Sequence, residues 1–154
     1  MDELRELYQA TILDHNKSPR NFGSLEGASH RAEGNNPICG DQLTVELEID
    51  AEDRVRDVRF DGKGCAISTA SASLMTECVK GCRRDQIEKT FRSFHELLTG
   101  PPSEDADALA ADGLGKLAVF SGVREYPVRV KCATLAWHTL WAALEDDRDV
   151  VKTE

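Results

Sequence analysis

Strict strand-type alternation confined to one stretch near residue 50, with helix-type spacing before and after it, predicts a chain that mixes strands and helices. Residues 42–49 place Leu43, Val45, Leu47 and Ile49 on one side against Thr44, Glu46 and Glu48 on the other, the pattern of a half-buried strand. Asp50, Ala51, Glu52 and Asp53 make a turn, and residues 54–60 return as a second strand. Several segments outside this pair space their apolar residues three and four apart, as helices with one buried face do.

In chain order, residues 2–14 read as a helix whose face carries Leu4, Tyr8, Ile12 and His15, ended by the run from Lys17 through Pro19 to Gly23. A short third strand is expected over 31–33. After the strand pair, residues 66–80 form a helix with Ile67, Ala70, Leu74 and Cys78 on one stripe and Gly81 as its C-terminal cap. The small residues from Ser68 to Ser73 suit close packing of this helix against a neighbour. A further amphipathic helix over 85–98 presents Ile87, Phe91, Phe94 and Leu98. Gly100, Pro101 and Pro102 stop it. Residues 103–115, acidic and Ala-rich, read as a short helix and mobile loops, and 116–122 as a short apolar segment. The last helix begins after Tyr126 and Pro127, with Val130, Thr134, Trp137, Trp141 and Leu144 on one face.

The sequence has 154 residues, enough for one domain with its own core, so residues 1–154 are read as one unit ending in a charged tail over 146–154. A net charge of −9 argues against nucleic acid and anionic membranes as partners. No apolar run approaches the ~20 residues that span a bilayer, and Met1 leads straight into Asp2, Glu3, Leu4 and Arg5, so a cytoplasmic location is expected. Five cysteines in a reducing compartment are then ligands, reactive thiols or packing residues.

Asn36, Pro37, Ile38, Cys39, Gly40 and Asp41 place a thiol and a carboxylate two residues apart in a turn that ends at a strand. Asn-Pro favours turn initiation and Gly40 frees the backbone between the two candidate ligands. Alone, such a tripeptide is only a loop with a cysteine; two later thiols give it company. Cys65 falls at a helix N-terminus, where the dipole and unpaired N–H groups favour a thiolate, and Cys132 falls in the first turns of the last helix. Cys39, Asp41, Cys65 and Cys132 together suit tetrahedral Zn(II), with a formal charge of about −2 that leaves the site able to exchange a ligand.

These motifs, with the run from Gly62 to Ser73, the run from Arg129 to Leu135 with Trp137, and the N-terminal Asp14, His15, Ser18, Pro19, Arg20 and Asn21, resemble the SufU branch of the IscU/SufU (NifU N-terminal-like) family of iron-sulfur cluster assembly proteins. The resemblance covers nearly the whole chain. It implies an α+β fold, a small antiparallel three-stranded sheet packed on one side by helices, with the metal site at one exposed end. It implies a zinc-dependent sulfurtransferase that takes persulfide sulfur from a SufS-type, pyridoxal-phosphate-dependent cysteine desulfurase and passes it to downstream iron-sulfur assembly or acceptor proteins. Cys39 is then the sulfur acceptor, freed by ligand exchange at the partner's interface, and Arg129 matches an arginine the branch uses in sulfur transfer. The alternative is a scaffold on which the same thiols hold a transient [2Fe-2S] cluster. Three departures from the scaffold pattern favour the sulfurtransferase: Lys131 stands where scaffold relatives carry His before the last Cys, the segment between Gly81 and Tyr126 is longer, and Tyr126, Pro127, Val128 and Arg129 replace a Leu-Pro-Pro-Val-Lys chaperone site.

Other candidates carry plainer readings. Cys78 and Cys82 are packing residues, His30 and His95 surface residues, His138 a core or interface residue, and His15 a structural one; Lys131 offsets the negative charge of the site.

Overall fold

The computed structural model describes residues 2–99, 115–145 and 151–152. In chain order these form α1 (Asp2–Lys17), β1 (His30–Asn36), β2 (Asp41–Ile49), β3 (Val55–Lys63), α2 (Ala66–Val79), α3 (Arg84–Thr99), a 3₁₀ helix (Gly115–Glu125), α4 (Pro127–Leu144) and β4 (Val151–Lys152). The expected α+β class is observed: β1, β2 and β3 make an antiparallel sheet in the order β3-β2-β1, and helices cover one face of it. The alternation that predicted β2 is the reason, because Leu43, Val45 and Leu47 turn inward to meet the helices while the residues between them face out.

The sheet extends further than its apolar residues indicated. β1 runs to Asn36 instead of stopping near 33, although Gly34, Asn35 and Asn36 have little strand propensity, because each pairs in register with Leu43, Gln42 and Asp41 of β2. β3 likewise continues to Lys63. The tail is not wholly a solvated run of charges: Val151 and Lys152 add a fourth strand parallel to β1 at Gly34 and Asn35. The stretch expected to hold a short helix and loops, residues 103–115, lies outside the described residues except for Gly115. The apolar segment after it is the 3₁₀ helix, which buries Leu117, Phe120 and Val123.

Two helices expected to have one apolar stripe are buried almost all round. α2 hides Ser68, Ala70, Ser71, Ala72, Ser73, Leu74, Met75, Thr76 and Val79, since α1, α4 and β3 all pack against it. Its small residues permit close approach, and Ser71 Oγ donates to the Ala133 carbonyl of α4 at 2.5 Å. Pro127 opens α4 at a position where its missing N–H costs nothing, and Gly81 adopts φ +87° just past α2, as a helix-terminating glycine does.

His15 joins α1 to α2. Its Nδ1 lies 2.7 Å from Ser73 Oγ and its Nε2 3.5 Å from Glu77 Oε1, while the same hydroxyl accepts the Arg20 N–H at 2.9 Å. Burial, then the Arg20 charge, holds the imidazole below its ordinary value against the opposing pull of Glu77 and Asp14. Burial, followed by His95, does the same to His138, which packs against Phe91 with centroids 5.1 Å apart. A histidine whose folded value is depressed binds its proton more readily when unfolded. Its stabilisation is therefore complete above the unfolded value of 6.5 and declines as pH falls below it. With a chelator present throughout, the urea midpoint is expected to drop between about pH 7.5 and about pH 5.5, less steeply in His15→Gln than in wild type. Equal slopes in the two proteins would refute a role for His15 in this dependence.

Candidate metal centre

The β1–β2 hairpin makes the rim of the site. Asn36 and Asp41 are register partners, so the connecting loop is the four residues Pro37, Ile38, Cys39 and Gly40, and Gly40 takes the left-handed φ of +74° that closes it. Asp41 is the first residue of β2 and only 1% exposed, whereas Cys39 at the loop tip is half-buried and its neighbour Ile38 is exposed. The strand ladder thus fixes the carboxylate, and the loop carries the thiol.

Cys65 lies between β3 and α2 as the N-cap of α2, its sulfur accepting the Ser68 N–H at 3.4 Å. Its own N–H donates to Asp41 Oδ1 at 2.8 Å, and its sulfur lies 4.0 Å from Asp41 Oδ2. Gly64 makes this approach possible, because a Cβ there would stand 2.7 Å from Asp41 Oδ1. Cys132, fully buried in the second turn of α4, brings its sulfur to 3.2 Å from Cys39 Sγ.

One ligand atom from each of Cys39, Asp41 and Cys132 lies within 4.8 Å of the others; Cys65 stands just outside this group, against the Asp41 carboxylate. Residues separated by up to 93 positions therefore meet at one end of the sheet. Two sulfurs and a carboxylate oxygen converge, with a third sulfur against the same carboxylate, donor types that suit a borderline-soft ion such as Zn(II).

Arg129 is exposed in the first turn of α4, and the negative charge of Cys65, ahead of Cys132 and Cys39, holds its guanidinium above the ordinary value. Cys132 is pushed in the direction of the neutral thiol, first by burial, then by its bonding to Cys39 and the charge of Cys65. Lys131 is half-buried beside it in sequence. Cys78 and Cys82 are not part of the group: Cys82 Sγ donates to the Cys78 carbonyl at 3.3 Å, and burial raises the Cys78 thiol to about 11, both acting as packing residues at the end of α2. His95 and His138 lie together at a ring distance of 6.1 Å between α3 and α4, and neither belongs to the group.

Sequence reasoning missed one member of the site. Asn36, fully buried, donates from Nδ2 to Cys132 Sγ at 3.4 Å and to Asp41 Oδ2 at 3.5 Å. Before Pro37 it reads as a turn former. The available signal was the length of the Asn-to-Asp spacing, which makes the two residues register partners once the turn is read as a four-residue hairpin loop.

The description "NifU-like N terminal domain" matches residues 7–133 of the chain. A zinc-dependent sulfurtransferase, SufU, from Bacillus subtilis (strain 168) is 39% identical over 137 residues, covering 89% of this chain and 88% of that protein. An iron-sulfur cluster assembly scaffold protein, IscU, from Streptococcus pyogenes serotype M1 is 37% identical over 145 residues, covering 94% and 87%. Among solved structures, a candidate iron-sulfur cluster assembly scaffold protein for the SUF system from Fervidobacterium islandicum AW-1 superposes with a TM-score of 0.78 at 34% identity, covering 87% of this chain and 93% of that one.

Proposed function

The chain belongs to the NifU-like N-terminal domain family of iron-sulfur cluster assembly proteins, and within it we propose that this member is a zinc-dependent sulfurtransferase fed by a SufS-type cysteine desulfurase. The observation that carries the reading is the unequal placement of the sulfurs. Cys39 sits half-exposed at a loop tip, while Cys132 is buried in α4 and Cys65 is tied to the start of α2. A persulfide on a partner can reach Cys39 far more readily than the buried Cys132, and a loop can bring Cys39 to it more freely than the start of α2 can bring Cys65.

Cys39, Asp41, Cys65 and Cys132 would hold the zinc. Bound zinc supplies the positive charge that keeps the sulfurs ionised near neutral pH. In the transfer, the Cys39 thiolate attacks the outer sulfur of the desulfurase persulfide, the S–S bond of the donor breaks, and the donor cysteine leaves as a thiolate. One S–S bond replaces another, so no external oxidant or reductant is needed. Arg129, exposed beside the sulfurs, offsets the negative charge that the incoming persulfide adds. The exposed Ile38, Tyr126 and Val128 flank Cys39 and Arg129 in sequence and offer apolar contacts to the partner.

The scaffold name of the Streptococcus pyogenes relative favours a second reading, in which the same thiols hold a [2Fe-2S] cluster as cargo. Metal analysis and an absorption spectrum of aerobically purified protein separate the two. Colourless protein with about one zinc per chain is expected. Brown protein with matched iron and acid-labile sulfide would overturn the sulfurtransferase reading in favour of the scaffold.

A further inference from the structure

The 3.2 Å between Cys39 Sγ and Cys132 Sγ becomes a liability once Cys39 carries a second sulfur. A Cys132 thiolate can attack the inner sulfur of the Cys39 persulfide. The bond to the outer sulfur breaks, a Cys39–Cys132 disulfide forms, and the outer sulfur takes a proton from water and leaves as hydrosulfide. The thiolate is oxidised and the sulfane sulfur reduced within the molecule, so the reaction balances without another reagent. It discards the sulfur and disables the acceptor.

We infer that Asn36 is a positioning residue that holds Cys132 out of this reaction, an inference resting on the reading of Cys39 as sulfur acceptor. The amide Nδ2 donates to Cys132 Sγ at 3.4 Å and also reaches Asp41 Oδ2 at 3.5 Å, tying the sulfur to a carboxylate fixed by the strand ladder. An N–H bonded to the Cys132 sulfur, whether thiol or thiolate, draws on its lone pairs, lowers its nucleophilicity and restricts the rotation that would aim it at a neighbour. Asn36 is completely buried, so water does not compete for the bond. The distribution of donors follows the same division. Cys65 Sγ receives the Ser68 N–H and Cys132 Sγ the Asn36 amide, whereas among the described residues the hydrogen bond reaching Cys39 Sγ is the Cys132 thiol's. N–H groups thus restrain the two sulfurs that must stay in place.

The experiment loads the full chain with sulfur in two ways, with inorganic polysulfide and with the desulfurase plus cysteine. It then follows the Cys39 adduct, released sulfide and the Cys39–Cys132 disulfide by mass spectrometry. Asn36→Leu, similar in volume and without the donor, is expected to shorten the adduct lifetime about tenfold, with one sulfide released per disulfide. Asn36→Ala takes its place if Asn36→Leu does not fold. Adding Cys132→Ser to the variant should restore the long lifetime, which a general loosening of the loop would not allow. An unchanged lifetime in the folded single variant, or a short lifetime that persists in the double variant, overturns the inference. If polysulfide loading shows the Asn36 dependence while the desulfurase delivers nothing to wild type, the sulfur-transfer reading falls and the role of Asn36 stands.

Discussion

Cys39→Ser is expected to accept no sulfur from the desulfurase and to leave its turnover unstimulated, a loss on the order of a hundredfold or more, because a serine hydroxyl at neutral pH is a far poorer nucleophile than a thiolate. The substitution is small and lies at a half-exposed loop tip, so the core and the surface around the site should survive it. Binding to the desulfurase is therefore expected to persist while transfer stops. Mass spectrometry of the wild type after reaction should show about 32 Da added at Cys39, one sulfur on a thiolate. Arg129→Ala in the same assay should slow loading roughly tenfold without moving its position, since the guanidinium supplies charge beside the sulfurs and bonds to Cys132 and not to the acceptor. An adduct on Cys65, Cys132, Cys78 or Cys82 with Cys39 unmodified would show that another thiol is the acceptor.

Removal of the metal should lower the melting temperature by on the order of 10 °C. A ligand present at a thousandfold over its dissociation constant stabilises the folded state by about 4 kcal/mol, and each kcal/mol moves the midpoint of a domain of this size by about 2–4 °C. Unlike a zinc finger, the chain keeps a core of its own around Leu47, Phe60, Leu74, Phe94 and Trp137, so it should soften without unfolding outright. Cys65→Ser and Cys132→Ser should each melt lower in proportion to the zinc they lose. Cys132→Ser should show the larger deficit, because its hydroxyl also replaces a sulfur buried in α4. Full zinc content with an unchanged midpoint in these variants would remove Cys65 and Cys132 from the ligand set.

The candidate ligand types and the helix starts were legible because they are local. Cys65 as N-cap and Pro127 at the head of α4 follow from residues within one turn, and β2 from its own alternation. What escaped depends on neighbours distant in sequence. β1 is written in small polar residues and exists through its pairing with β2; α2 and α4 are enclosed by several elements, which a single apolar stripe does not anticipate. Asn36 illustrates the same limit within the site. Its place in a turn is local information, but its amide acts on a sulfur 96 positions away, and only the register of β1 with β2 aims it there.

That spacing also sets an order of events during folding. The contacts that build the site join residues 24, 93 and 96 positions apart, so each must wait for its own loop to close, and the closure entropy comes before the gain. Asp41 and Cys65 can meet once the hairpin and the start of α2 are in place, but Cys132 arrives only when the last helix docks. A nascent chain emerging N-terminus first therefore carries Cys39 and Cys65 without their third thiol until the last helix has been made. The tight group of Cys39, Asp41 and Cys132 is therefore completed only when the last helix docks.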